Sequence, residues 1–244
     1  MKNSLSALSR LSFYSFIDKY RKGKLLKNRG RIFKNYLLNN PSPKLHIGCG
    51  GNEFPGWLNT DIQPYNIHIA YLDAGQKFPF EDNSFDYVYS EHVFEHLNFQ
   101  QQMNYLQESN RILRRGGKLR IATPDLDFLI RLASPGRNEI ENRYIRWNLD
   151  TFLPSVKEQL AKNENPEVYV INNYFRDWGH QLIHNRPSLN NLLELTGFTN
   201  IRAEAVGVSN DMNLNDIERH AAMITDEFNK LETMVMEAIK PTQS

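Results

Sequence analysis

The sequence predicts an α/β domain built on a mostly parallel, doubly wound sheet, preceded by a basic helical arm. Three observations predict it. Short apolar runs alternate with helical segments from residue 44 onward, which is typical of strands joined by crossover helices. Glycines directly follow the first apolar run, where a parallel strand would enter a tight turn. Positive charge is concentrated before this pattern begins, as expected for a separate arm.

The amino-terminal segment differs from the rest of the chain in charge. Residues 1–44 hold eleven basic side chains and one acid, a net charge of +10, whereas the remainder holds 18 basic and 27 acidic side chains, a net charge of −9. Residues 4–20 carry leucine and phenylalanine at helical spacing, and residues 39–43 are typical of a linker. We therefore expect a basic helical arm and linker over residues 1–43 and a domain over 44–244.

Composition excludes several classes of protein. About 200 residues after the arm are enough for one domain with a real core, and 40% hydrophobic with 23% charged residues is ordinary for a globular protein. The single cysteine, Cys49, excludes a disulfide framework and a four-cysteine zinc site. The sequence has neither an uninterrupted apolar run of ~18 residues nor a clean signal-peptide core. We therefore expect a cytoplasmic protein.

The predicted strands follow from short apolar or alternating runs. In order they are residues 45–47, 57–62, 67–73, 85–90, 118–122, 201–208 and 234–239. Pro124 stops the fifth of them.

Helices are predicted between these strands. They are a helix beginning at residue 91 and helices over residues 100–113, 125–133, 187–196 and 221–231. Gly116 and Gly117 follow the second helix as a terminating signal, and Pro187 suits a first helical turn. Residues 135–185 are polar and aromatic without a strong period, so we expect a lid-like insertion there.

A glycine loop, Gly48-Cys49-Gly50-Gly51, follows the first strand. Glycines permit a tight turn and close approach of the backbone to a ligand, and a helix beginning after them would present N–H groups to a negatively charged group. The third glycine of the dinucleotide-binding pattern is absent, because Glu53 stands at its position. The loop therefore predicts a ligand site but disfavours a nicotinamide dinucleotide.

Two acids follow the next two strands. Asp61 ends the second strand, where a carboxylate can accept both hydroxyls of a ribose, and Asp73 ends the third, where it could face the exocyclic amine of an adenine. Because parallel strands share one carboxyl edge, these side chains and the glycine loop should meet.

Three stretches and one acid together resemble class I S-adenosylmethionine-dependent methyltransferases of the type-11-like branch. The stretches are LHIGCGGN, LDAGQKFPFEDNSFDYVYSEHVFEHL and NRILRRGGKLRIATPD, and the acid is Asp61. The resemblance covers residues 44–125 and returns weakly at LNNLLELTGF and VMEAIKP. It implies a Rossmann-like, seven-stranded sheet whose last strand is antiparallel, and S-adenosyl-L-methionine as the cofactor.

The resemblance also implies a cofactor-binding set. Its members are His46, Gly48, Cys49, Gly50, Asp61, Ile62, Asp73, Ala74 and Ser90. His46 departs from the family, which usually has an acid there that contacts the methionine amine. The backbone of Gly48 and Gly50 would then carry more of that contact.

His92-Val93-Phe94-Glu95-His96 matches the H-x-x-E-H string of inverted zinc peptidases. The string follows a strand of a glycine-loop fold, and no third ligand is identifiable in the sequence, so we predict no metal. We expect Ser90, Glu91 and His92 to line the methionine end of the cofactor and the mouth of the acceptor site, and His96 to be structural.

Candidate catalytic residues are His180, His92 and Glu91. A histidine can accept the proton of an acceptor hydroxyl during methyl transfer, and His180 follows the aromatic segment 144–178, which would cover the site. His184 is a weaker candidate. We expect O-methylation of a sugar, glycan or small metabolite, in line with relatives that accompany surface-polysaccharide pathways.

Several alternatives stay open. The chain could be a non-catalytic partner subunit that keeps the fold, or a nicotinamide-dependent oxidoreductase. The basic arm could cover the cofactor pocket or make a peripheral membrane contact through residues 1–34. Binding of nucleic acid is the least supported of the three roles considered for the arm, and we predict no nucleic-acid partner.

Overall fold

The structure is a computed structural model that describes residues 23, 25–26, 28–160 and 165–242. The helix predicted over residues 4–20 lies outside these ranges. The strands are β1 Lys44–Ile47, β2 Leu58–Asp61, β3 Ala70–Tyr71, β4 Phe85–Glu91, β5 Leu113–Pro124, β6 Thr199–Glu204 and β7 Thr233–Ile239. The helices are α1 (28–39), α2 Phe99–Ile112, α3 Leu126–Leu132, α4 Glu139–Thr151, α5 Pro154–Gln159, α6 Pro166–Arg176, α7 Arg186–Leu195 and α8 Asp226–Glu232.

The seven strands form one sheet in the order β3-β2-β1-β4-β5-β7-β6. Strands β1 to β5 pair in parallel, whereas β7 runs antiparallel to both β5 and β6. The predicted seven-stranded, mostly parallel sheet with an antiparallel last strand is therefore confirmed. The order reverses between β1 and β4, so the crevice that binds ligands in such sheets opens at their carboxyl ends.

Helices α1, α2 and α7 cover one face of the sheet. Phe33 of α1 is buried, with its ring centroid 4.6 Å from that of Phe80, and the Tyr36 hydroxyl donates to the carbonyl of Lys44. Residues 28–39, which belong to the predicted arm, therefore pack on the core of the domain. The basic side chains of this helix, Arg29, Arg31 and Lys34, hide its contribution to the core in the sequence.

The opposite face is covered mainly by a loop. The loop over residues 205–219 places Leu214 and Ile217 on Trp57 and Tyr89. A loop rather than a helix therefore covers this part of the sheet. Residues 48–57, between β1 and β2, likewise contain no helix, so the glycine loop does not lead into a helix N-terminus.

The helix predicted from residue 91 is also absent. Strand β4 runs through Glu91, His92 adopts a left-handed φ of 50°, and Phe94–His96 forms one turn of 3-10 helix. Helix α2 begins only after Asn98, whose side chain caps it by accepting from the Gln101 N–H.

The segment 135–185 is helical rather than irregular, because it contributes α4, α5 and α6. These helices build a second core with α3 and α8, in which Tyr144, Val170 and Phe228 are buried. Polar side chains such as Glu141 and Asn173 are buried in the same helices, and they break the apolar period that would have predicted helix.

Within the described residues, no helix has the length and apolar character needed to cross a membrane.

Candidate functional site

The glycine loop needs its glycines. Gly48 has φ 69° and Gly50 has φ 48°, which is the left-handed region that other residues rarely adopt. A Cβ on Gly48 would lie 2.2 Å from Cγ2 of Val93. The turn can therefore close against residue 93 only when position 48 lacks a side chain.

Asp61 lies beside this loop and has capacity to bind further donors. Its half-buried carboxylate accepts from the Gly50 N–H at 3.0 Å and from the Gln63 N–H at 2.7 Å. An ionised carboxylate offers about four acceptor positions, so two remain for ribose hydroxyls. Ile62 follows with 55% of its surface exposed, and its side chain is available to pack on a base.

The end of β3 completes the nucleoside side of the groove. Asp61 is paired with Tyr71 across β2 and β3, and Asp73 follows with its carboxylate half-buried and accepting from the Gly75 N–H at 3.0 Å. Ala74 is buried beside it. These residues fit the ribose and adenine of the predicted cofactor in type and placement.

His46 does not reach the groove. Its ring is 2% exposed, stacks on Phe54 at 4.5 Å and pairs through Nδ1 with Asn59 at 3.2 Å. It points to the loop-covered face because the β-strand alternates its side chains. The His46 side chain therefore lies on the side of the sheet away from the glycine loop's groove, although the resemblance implies a cofactor contact for it.

Cys49 is a structural residue of the turn. Its backbone N–H donates to the Thr60 carbonyl at 2.9 Å. Burial, with the charges of Asp61 and Glu53, raises the pKa of its thiol to about 12. The side chain therefore stays a neutral thiol, as a small group packed within the turn.

Burial makes His46 an acid-sensitive point of the fold. Desolvation lowers its pKa to about 4, against 6.5 for an exposed histidine. Its stabilising contribution is complete above pH 6.5 and is lost as the pH falls toward 4, because the unfolded chain then binds more protons. We expect protonation of His46 to lower the free energy of unfolding by about 3 kcal/mol. In His46→Gln, the free energy of unfolding measured with urea should therefore change less between pH 6.5 and 4. An unchanged slope in the variant would contradict this.

Two further predicted site residues are turned away from the groove. Ser90 is fully buried, with its hydroxyl 2.8 Å from that of Tyr105 on α2. Glu91 accepts from the backbone N–H of Arg219 and of His220, at 2.8 Å and 2.9 Å for the shortest pairs. Ser90 therefore belongs to the core, and Glu91 holds residues 219–220 in place rather than acting as a free base.

A cavity of about 360 Å³ lies at the carboxyl edge of β4 and β5. It brings together His92 and His180, the two histidines that the sequence singled out. Aromatic side chains of the 135–185 segment form part of its wall: Trp147, Phe152, Tyr174 and Trp178. The histidines and the aromatic segment therefore share one site.

His180 is held in one tautomer. Its Nδ1 lies 2.7 Å from the carbonyl oxygen of Tyr174. Since a carbonyl only accepts, Nδ1 carries the proton and Nε2 keeps a lone pair. Desolvation lowers the pKa of His180, although the charge of Glu95 opposes this, so the ring is neutral near pH 7.

His92 is held by a buried carboxylate. Its Nδ1 donates to Glu95 at 3.0 Å, and Glu95 also accepts from the Thr123 hydroxyl at 2.9 Å. Burial alone would lower the pKa of His92, but the hydrogen bond and charge of Glu95 outweigh burial and raise it. The centroid of the His92 ring lies 3.8 Å from that of the His220 ring.

Sequence reasoning missed His220 and Glu232. His220 Nε2 lies 3.2 Å from Glu232, which is buried and also accepts from the hydroxyls of Tyr144 and Tyr174. No local motif links these positions, since more than a hundred residues separate them from His92. They reach the carboxyl edge of β4 and β5 because β7 runs antiparallel to β5, so the chain just before β7 lies at that edge.

The H-x-x-E-H string does not form a helical metal pair. His92 faces His220, whereas His96 faces His180 with their ring centroids 4.9 Å apart. His184 is buried away from the cavity, where its Nε2 lies 2.8 Å from Gln102.

Comparison with known proteins gives a family match and similar solved structures. Residues 45–121 match the type-11 family model described as a methyltransferase domain. A methyltransferase structure from Archaeoglobus fulgidus is 18% identical, with 93% of this chain and 99% of that chain covered and a TM-score of 0.47. A phosphoethanolamine N-methyltransferase from Haemonchus contortus, solved with phosphomonomethylethanolamine and S-adenosylhomocysteine, is 16% identical, with 82% and 49% covered and a TM-score of 0.42.

At this level of similarity neither structure bears on the acceptor. No curated protein matches the sequence. The family model covers the glycine loop and both strand-end acids, Asp61 and Asp73. Residues 45–121 therefore match a methyltransferase domain of the type-11 family, for which S-adenosylmethionine is the cofactor.

Proposed function

We propose that this protein transfers a methyl group to a hydroxyl of a sugar, glycan or small metabolite. The observation that carries the proposal is the placement of His180: a neutral imidazole with its Nδ1 proton committed to a backbone carbonyl, at the wall of a cavity on the carboxyl edge of the sheet. Such a ring offers Nε2 as a proton acceptor.

The cavity suits a small acceptor. Its volume of about 360 Å³ lies within the usual range for ligand pockets of ~300–1,000 Å³. Trp147, Phe152 and Trp178 give it aromatic walls, on which the apolar face of a sugar ring can pack. A lipid-linked glycan as acceptor would also give the basic arm a role at an anionic membrane surface.

The chain's own residues align the acceptor and take its proton. S-adenosylmethionine, when bound, supplies a methyl on a sulfonium, whose departure needs no acid. Asp61 and Asp73 would hold the nucleoside, and the glycine loop would approach the methionine end. The aromatic wall excludes water from the acceptor, and His180 Nε2 accepts the hydroxyl proton as the new bond forms.

Two other functions are less well supported. A non-catalytic partner subunit would have no need for the left-handed glycines beside an ordered Asp61 carboxylate. A nicotinamide-dependent oxidoreductase is disfavoured by the absent third glycine and by the match to the methyltransferase family.

A screen of acceptors with methyl-labelled S-adenosylmethionine tests the proposal. We expect label to enter hydroxyl-bearing sugars, glycans or small metabolites, and methyl ethers to be recovered by mass spectrometry. Transfer of label only to amines or thiols would overturn the assignment of O-methylation.

A further inference from the structure

We propose that His92, His220 and Glu232 form a binding site for one divalent transition metal ion of the zinc class at the wall of the same cavity. One ligand atom from each residue lies within 4.8 Å of the other two. All three residues line the cavity. The proposal departs from the sequence-based expectation of no metal, and it concerns a site separate from the nucleoside groove.

The ligand atoms are fixed by their other contacts. Nδ1 of His92 is used by Glu95, so Nε2, whose recorded contact is the Thr233 hydroxyl at 3.5 Å, is the nitrogen left for the metal. Nε2 of His220 lies 3.2 Å from Oε1 of Glu232. Zinc–nitrogen bonds of ~2.0–2.1 Å in a tetrahedron place neighbouring ligand atoms about 3.3 Å apart. The spacing of His220 and Glu232 therefore suits a shared ion as well as a hydrogen bond.

Other contacts hold the three ligand residues in place. Glu95 is fully buried and holds His92, which reproduces the carboxylate–histidine arrangement found behind metal-binding imidazoles. The other oxygen of Glu232 accepts from Tyr144 and Tyr174. Glu91 binds the backbone N–H of residue 220 and so fixes the start of its turn.

The backbone supports the same assignment. His92 keeps φ at 50° although it is not a glycine, a strained conformation that persists where the surroundings impose it. It directs the imidazole toward His220, with ring centroids 3.8 Å apart. Three protein ligands beside an open cavity leave a fourth position for water or for an oxygen of the acceptor.

Two imidazoles and one carboxylate favour a zinc-like ion over magnesium or calcium, which prefer oxygen ligands. A neighbouring set, Glu95, His96 and His180, also has its ligand atoms within 4.8 Å of one another. There, however, both carboxylate oxygens of Glu95 already accept hydrogen bonds, one from His92 and the other from Thr123. The set with His220 and Glu232 is therefore the better metal site.

Calorimetric titration of the chelator-treated full chain with Zn²⁺, without cofactor or acceptor, tests the site. We expect one ion to bind with 1:1 stoichiometry, and bound Co²⁺ to show the visible absorption of a site with nitrogen ligands. His220→Gln should weaken Zn²⁺ binding by more than 100-fold, and Glu95→Gln by about 10–100-fold, the range for residues that orient a ligand. Because no methyl transfer is measured, the outcome is independent of the proposed function.

His68→Gln is the matched control, since His68 is exposed and lies outside the cavity, and it should bind Zn²⁺ like the wild type. Circular dichroism of each variant checks folding, and His220 is partly exposed, so its replacement should be tolerated. No binding by the wild type would overturn the site. Zn²⁺ binding by His220→Gln as tight as that of the wild type would also overturn it. So would loss of Zn²⁺ binding in His180→Gln together with no loss in His220→Gln.

Discussion

Replacing His180 by glutamine is expected to lower kcat for methyl transfer by about 10²–10⁴-fold, the usual contribution of a positioned general base. Glutamine keeps a side chain of similar reach but cannot accept a proton. Cofactor affinity should be unchanged, because His180 lies in the acceptor cavity and not beside Asp61. The measurement is single-turnover transfer from labelled S-adenosylmethionine to the acceptor that the screen identifies.

The pH profile separates a base from a residue that only packs. Groups facing His180 are Glu95, His96, His92 and the carbonyl of Tyr174, and burial lowers its pKa below 6.5. Since the neutral ring is the active form, kcat should stay level above pH 6.5 and fall as the pH drops through that lowered pKa. The acid fall should vanish in His180→Gln. If the variant retains wild-type kcat with the same acid fall, His180 is not the base.

Arg120→Met is expected to destabilise the fold by about 3–5 kcal/mol, the cost of removing one partner of a buried ion pair. Arg120 is fully buried on β5, donates to Glu218 at 2.7 Å and also pairs with Glu237. Its loss would leave the buried Glu218 carboxylate uncompensated. Because Glu218 lies in the loop that covers the sheet and precedes His220, the loop should loosen first. Urea unfolding of the purified variant measures the effect.

Two comparison variants sharpen this result. Arg115→Met removes an exposed arginine of the same strand, whose guanidinium reaches only a backbone carbonyl among the described contacts, and it should change stability by less than ~0.5 kcal/mol. Adding Glu218→Gln to Arg120→Met should recover part of the loss, since the stranded charge is removed. A loss below ~1 kcal/mol in Arg120→Met would show that the pair does not hold the loop.

The sheet was predictable because its signals are local. Period-two apolar runs, the glycines after β1 and the strand-end acids Asp61 and Asp73 each lie within a few residues of the element they mark. The same is true of α7, which begins with a proline in its first turn and is capped by Asn185. The family resemblance rests on this local part of the chain.

The acceptor side was not predictable in the same way. His220 and Glu232 reach His92 only through the return of β7 and through Glu91 binding the backbone of residues 219–220. The burial of His46 depends on Phe54 closing over it, which no spacing indicates. Buried polar residues such as Glu141 also concealed helix α4.

Calorimetric titration with S-adenosylhomocysteine tests the central claim, that the glycine loop and Asp61 bind S-adenosylmethionine. The wild type should bind it with 1:1 stoichiometry and give no heat with NAD. Asp61→Ala should bind it about 10–100-fold more weakly, since hydrogen bonds to a charged group contribute ~1.5–3 kcal/mol, whereas Glu194→Ala, which removes an exposed acid of α7, should match the wild type. Absence of heat with S-adenosylhomocysteine, or unchanged affinity in Asp61→Ala, would contradict it.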